Sequence, residues 1–178
     1  MSDITVAGRY AVALFQIAKE QNLINQLEEE LRIVNEVFTK DKELLSFLAH
    51  PKMTSGAKRE VLANAFTGLS SSVQNTLMLM VERHRTNEVT AMAQEFIELA
   101  NEENSVADAT VYTVNPLTEA EAKAVSSAFA AKIGKRNLRI TNITDSNIIG
   151  GIKLQIGNRI YDGTISGKLD RLSKQLLG

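Results

Sequence analysis

Ile148-Ile149-Gly150-Gly151-Ile152-Lys153-Leu154-Gln155-Ile156-Gly157-Asn158-Arg159-Ile160-Tyr161-Asp162-Gly163-Thr164-Ile165 packs more turn and strand signals into few residues than any other part of the chain. Ile152, Leu154 and Ile156 alternate with Lys153 and Gln155, the period of a strand with one buried face. Gly157-Asn158 predicts a two-residue turn, since both residue types tolerate positive φ, and Arg159 to Tyr161 a short return strand. Asp162-Gly163-Thr164 breaks that strand and opens a last helix, on which Leu169, Leu172 and Leu176 recur at helical spacing. Gly150-Gly151 reads as backbone room for a tight turn. Neither Gly-x-x-x-x-Gly-Lys-Ser/Thr nor Gly-x-Gly-x-x-Gly is present, so no phosphate cradle is expected.

Immediately upstream the chain alternates element types. Val106 to Val114, rich in Val, Thr and Tyr, predicts a strand. Thr118 and Glu121 stand at capping-box spacing before a helix that carries Val125, Phe129 and Ile133 and ends at Gly134. Leu138, Ile140 and Ile143 predict another strand. Residues 106–178 therefore read as a small β-α-β-β-α region, short enough that its leucine helix calls for a partner to cover it.

Residues 1–105 read as six helices joined by short loops, a helical bundle. The first, Ile4 to Lys19, is apolar well beyond one stripe. Val6, Tyr10, Ala13 and Ile17 share one face and Ala7, Ala11, Leu14 and Ala18 its neighbour, leaving Thr5, Arg9, Gln16, Lys19 and Glu20 on a narrow polar side. The second, Leu23 to Thr39, carries Ile24, Leu27, Leu31, Val34 and Phe38, with Glu28-Glu29-Glu30 as a solvated face. Leu44 to Leu48 form a third, which Pro51 stops by His50. Thr54 or Ser55 caps a fourth that Gly68 closes. The fifth, Val73 to Arg83, buries Val73, Leu77, Met80 and Val81 and has Met78 and Leu79 to spare. Val89 to Ala100 make the sixth. The fold class is mainly α with a small α/β C-terminal part.

Composition narrows the function classes. Of 178 residues, 44% are apolar and 23% charged, with net charge −1 and no cysteine. Such a chain folds, carries no global basic field for nucleic acid, and has neither disulfide nor thiol chemistry. No basic flank followed by an apolar run marks Met1-Ser2-Asp3-Ile4-Thr5, so no secretory signal is expected. No stretch approaches the ~20 apolar residues of a membrane span, so direct membrane insertion is not expected.

Asp145-Ser146-Asn147-Ile148-Ile149-Gly150-Gly151, the alternating strand, Asp162-Gly163-Thr164 and the terminal leucine helix resemble the C-terminal signature of F-type ATP synthase delta subunits, the oligomycin-sensitivity-conferring protein family. Thr164 stands where the family more often has serine. Arg83-His84-Arg85-Thr86-Asn87-Glu88 falls at the family's link between helices five and six, often written Asn-Gly-Arg, of which only an arginine is kept. The resemblance implies a non-catalytic stator clamp at the cytoplasmic face of the plasma membrane, one copy per complex, that couples proton flow to ATP synthesis. Residues 1–105 would grip the catalytic head, chiefly the N-terminal segment of an alpha subunit, and 106–178 the b subunits of the peripheral stalk. The family's use of helices one and five, together with their surplus apolar coverage, makes Tyr10, Ala13, Ile17, Met78, Leu79 and Glu82 the head-binding candidates. Ile165, Leu169, Leu172 and Leu176 are the stalk-binding candidates.

No catalytic, cofactor or metal site is expected. His50 precedes a proline, His84 lies between arginines, and neither has zinc-ligand or nucleophile–base spacing. Asp145, Asn147 and Gly150 match three calcium-loop positions, but Ile149 and Ile156 break the pattern. Asn142-Ile143-Thr144 is a glycosylation triplet, without meaning unless secreted. Two other readings are a free-standing helical adaptor, which leaves the C-terminal motif unexplained, and a hydrolase using Asp145 or Asp162, which lacks a base or metal.

Overall fold

The side chain of Thr5 accepts a hydrogen bond from the Gly8 N–H (3.1 Å) and so starts α1, Val6–Glu20. This computed structural model describes residues 5–50 and 52–177; the expected helix start at Ile4 and the stop at Pro51 lie outside them. There follow α2 (Ile24–Lys40), α3 (Lys42–Ala49), α4 (Ser55–Ala65), α5 (Ser71–Glu82), a 3-10 turn (Thr86–Glu88) and α6 (Val89–Glu103). The chain divides into two compact units, Met1–Ala100 and Asn101–Gly178.

The helical unit is organised by its sequence periodicity. Leu27, Leu31, Val34 and Phe38 of α2 share one buried core with Leu77 and Met80 of α5 and Met92 and Phe96 of α6. Phe15 meets Phe96 edge to face and Phe38 stacks on Phe66, geometries that add to plain area burial. On α1 the buried face is Ala7, Ala11, Leu14 and Ala18. The neighbouring face, with Ala13 and Ile17, looks outward.

Two expectations are corrected here. Glu28-Glu29-Glu30 is not a solvated face: Glu28 is 3% exposed and Glu30 8%, and only Glu29 faces water. Glu28 accepts from the Arg32 guanidinium (2.8 Å). Glu30 accepts from the Ser70 N–H and hydroxyl (2.8 and 2.6 Å), placing a carboxylate at the α5 N-terminus, where backbone N–H groups favour negative charge. Gly68 does not close α4, which ends at Ala65 with Phe66 as its cap.

The stops of α1 and α5 share one device. After α1, Asn22 takes φ +57°, with the Leu23 N–H on the Ala18 carbonyl and the Asn22 N–H on that of Lys19. His84 (φ +57°) repeats this after α5, bonding Arg85 to Met80 and His84 to Val81. Each is a left-handed cap that satisfies the carbonyls a helix end leaves unpaired.

In the second unit, β1 (Val106–Thr113), α7 (Glu119–Lys132), β2 (Asn137–Thr144), β3 (Lys153–Ile156), β4 (Arg159–Asp162) and α8 (Ile165–Leu177) form a sheet of order β2-β1-β3-β4 with flanking helices. β1 runs parallel to β2 and antiparallel to β3, with Val106 opposite Asn137 and Val111 opposite Leu154. Ala109, Val111, Leu138, Leu154 and Ala130 of α7 are the core, and the expected capping box of Thr118 and Glu121 is present. Ser126 ties α7 to β2 by accepting the Leu138 N–H (2.9 Å). Asn142, the glycosylation-triplet residue, is built into the sheet end: its amide donates to the Val111 carbonyl and accepts the Leu117 N–H. In the hairpin only Gly157 takes positive φ (+53°); Asn158 does not.

Candidate protein-binding surfaces

The two glycines of the opening stretch bring its separate signals together. The Gly163 N–H donates to the Ile152 carbonyl (2.9 Å) and the Ile165 N–H to that of Gly150 (3.0 Å). The entry to β3 is thereby tied to the start of α8. At Gly151, φ is +83°, and a Cβ would press on the Gly163 carbonyl oxygen and lie 3.0 Å from the Thr164 Cα. Thr164 then caps α8 by accepting the Gly167 N–H (3.1 Å).

Both aspartates weighed for hydrolysis are used in turns. Asp145 accepts from the Asn147 N–H and side-chain amide (2.9 Å each). Asp162 accepts from the Thr164 hydroxyl (2.7 Å) and N–H (2.8 Å). Those bonds, the hydroxyl's first, hold the Asp162 carboxyl below its ordinary value of 3.8. A depressed carboxyl stabilises the fold above its unfolded-state pKa and withdraws that support as pH falls through the folded value. Acid titration followed by the amide resonances of Ile165–Leu169 is therefore expected to show the start of α8 loosening below about pH 4, a step that Asp162→Asn removes. Persistence of the step in Asp162→Asn would assign it elsewhere. Among the described residues no group of three or more His, Cys, Asp or Glu could hold a metal, and no helix is long and apolar enough to cross a membrane.

The α8 stripe is bare. Leu169, Leu172 and Leu176 are 58%, 53% and 84% exposed, and Ile165 is half-exposed at the helix start. Their spacing puts all four on one face, as a docking helix requires.

On the helical unit, α1 packs beside α5. Between them lies a cleft of about 390 Å³ lined by Val6, Arg9, Tyr10, Ala13, Leu79, Arg83 and Arg85. It gathers Tyr10, Ala13 and Leu79 of the head-binding candidates. Ile17 is exposed further along α1. Met78 and Glu82 turn the other way: they line a separate narrow cleft with Lys58, Arg59 and Leu62 of α4, and Glu82 pairs with Arg59. Sequence reasoning left out the arginines. Arg9 counted as polar side, Arg83 as the end of the fifth helix and Arg85 as part of the link that follows, although Arg9 stands one position before Tyr10.

A model of the ATP synthase delta (OSCP) subunit family matches residues 6–176. The chain belongs to that family. Relatives named ATP synthase subunit delta include one from Geobacillus sp. (strain WCH70), 51% identical over the whole of both chains. Another, from Bacillus subtilis (strain 168), is 50% identical over 100% of this chain and 98% of its own. A chain of the Toxoplasma gondii mitochondrial ATP synthase hexamer, 23% identical, shares the fold with a TM-score of 0.74 over 98% of both chains.

The family's Asn-Gly-Arg link acquires a physical reading. With Arg85 as its arginine, the glycine position falls on His84, the residue at φ +57°. A side chain in the left-handed region costs roughly 1–2 kcal/mol, partly offset because glycine gains more freedom in the unfolded chain. His84→Gly is therefore expected to stabilise the helical unit by about 0.5–1 kcal/mol in thermal melts. A lower melting temperature would mean that the imidazole contributes more than the strain costs.

Proposed function

We infer that the chain is the stator clamp of an F-type ATP synthase, joining the catalytic head to the peripheral stalk. The observation that carries this is full-length membership of the delta (OSCP) family in a chain that turns an apolar surface outward on each of its two compact units. In this reading the α1–α5 groove takes the N-terminal segment of an alpha subunit, and the α8 stripe takes the ends of the b subunits. Residues 1–105 serve the head and 106–178 the stalk, one copy per complex, peripheral to the cytoplasmic face of the plasma membrane. Held at both ends, the head resists the torque of the central shaft, and proton flow stays coupled to ATP synthesis. The chain performs no chemistry of its own.

Torque transmission demands attachment at two independent places, and that is what the test addresses. Tagged full-length chain, added to solubilised membranes stripped of the native subunit, should recover both alpha and beta head subunits and b subunits. A chain ending at Gly163 lacks all of α8 and should recover the head but lose b at least tenfold, about 1.4 kcal/mol or more. Loss of both together would sink the division of labour; recovery of neither by the full-length chain would sink the clamp.

A further inference from the structure

The α1–α5 groove carries more charge than an apolar contact needs. Its apolar lining is Val6, Tyr10, Ala13 and Leu79; its remaining lining is Arg9, Arg83 and Arg85, with no carboxylate among the described residues. Among the described residues none of these three guanidinium groups is in an ion pair, whereas Arg59 pairs with Glu82 and Arg139 with Asp108. Three like charges lining one cleft repel one another where they come within a Debye length of about 8–10 Å, and no carboxylate among the described residues is paired with them. Arg83 and Arg85 flank the left-handed residue His84, so the cap that ends α5 also sets where they stand.

An apolar floor asks for an apolar stripe, and unpaired guanidinium groups ask for carboxylates, which they grip in a planar two-pronged geometry. We propose that the groove selects its occupant by charge: an amphipathic helix whose apolar stripe is flanked by aspartate or glutamate, clamped by Arg9, Arg83 and Arg85. This rests on the clamp reading, in which the occupant is the alpha subunit's N-terminal segment, and adds the chemistry that the segment must carry. Concavity favours a helix over an anionic lipid surface, because Leu79 and Ala13 line the same cleft as the arginines. The charges speed encounter and fix the orientation of the helix, and the apolar floor supplies the remaining affinity.

Three synthetic helices of about 20 residues, with one shared apolar stripe and flanks of Glu, Gln or Lys, test this against the full-length chain by fluorescence anisotropy. The Glu-flanked helix should bind about tenfold tighter than the Gln-flanked one and the Lys-flanked helix weakest, with the gaps closing as salt rises from about 0.05 to 0.5 M. In a chain carrying Arg9→Gln, Arg83→Gln and Arg85→Gln the ranking should vanish while the Gln-flanked helix binds as before. Equal binding of the Glu and Gln helices, or a ranking that survives in the triple variant, would overturn the charge clamp. So would binding to anionic vesicles that Leu79→Glu leaves undiminished, since that would give the arginines to lipid. Binding to the purified catalytic head separates the two levels. Head affinity lost in Leu79→Glu but untouched in the triple variant removes only the charge clamp, whereas head affinity retained in Leu79→Glu removes the groove itself.

Discussion

Gly151→Ala is expected to lower the melting temperature of the C-terminal unit by roughly 15 °C. Two costs add. The alanine must hold φ near +83°, a conformation that costs an L-residue about 1–2 kcal/mol. Its Cβ must also displace the Gly163 carbonyl and the Thr164 backbone, which cannot swing aside as a flexible side chain would. Both are fixed by the bonds from Gly163 to Ile152 and from Ile165 to Gly150. Together the costs reach about 3 kcal/mol, and a unit of this size shifts by roughly 4–8 °C for each kcal/mol. Gly134→Ala is the internal control. It too sits at positive φ (+69°), but nothing lies within 4 Å of its would-be Cβ, so only the backbone cost of about 1 kcal/mol applies. Calorimetry on both variants decides the matter: equal losses would show that Gly151 is needed for its φ alone and that the close approach to Gly163 is relaxed without cost.

Leu79→Glu is expected to weaken binding to the catalytic head by at least a hundredfold while leaving the melting temperature of the free chain unchanged. At 42% exposure Leu79 contributes little to its own core, so the free protein loses almost nothing. In the proposed complex the same position lies under the partner helix, and a carboxylate forced against an apolar stripe costs about 3 kcal/mol, close to 150-fold in affinity. Glutamate there would also engage Arg83 or Arg85 itself, competing with the partner's own carboxylates. Ala13→Glu, on the facing helix, should act in the same direction by filling the cleft. Titration calorimetry with purified head, beside thermal melts of each variant, provides the check. Unchanged head affinity in both variants would remove the α1–α5 groove from the assembly.

The elements were legible wherever a periodic pattern ran long enough to be seen. The two apolar periods of α1 announced a helix with a spare face, and Thr118 with Glu121 announced its capping box. Gly150-Gly151 and Asp162-Gly163-Thr164 were each read as turns. That they are one hydrogen-bonded unit could not be read, because residues 150–152 meet 163–165 only across the β3–β4 hairpin. The 3-10 turn at Thr86–Glu88 is too short to have a period. Glu28 and Glu30 looked like a solvated run because a one-dimensional charge pattern does not know that Ser70, forty residues on, will offer Glu30 two donors. The groove was half legible for the same reason. Surplus apolar coverage marked α5 as two-sided, but only packing shows that α4 takes the Met78 and Glu82 side and leaves Leu79 facing α1.

β1 is bonded on one edge to β2, about thirty residues later in the chain, and on the other to β3, later still. No strand of the sheet can pair until β2 has been made, and the central strand is unsatisfied on one edge until β3 follows. All six helices precede β1 in the chain, so even their distant contacts, such as Phe15 on Phe96, can close before any strand exists. Closing long chain loops slows structure formation, whereas local helical contacts form within microseconds to milliseconds. As the chain is synthesised, the helical unit is therefore complete and able to engage a partner while the sheet is still waiting for its later strands. For the proposed clamp, assembly acquires an order in time from the order of the two units along the chain: grip at the front first, grip at the back second.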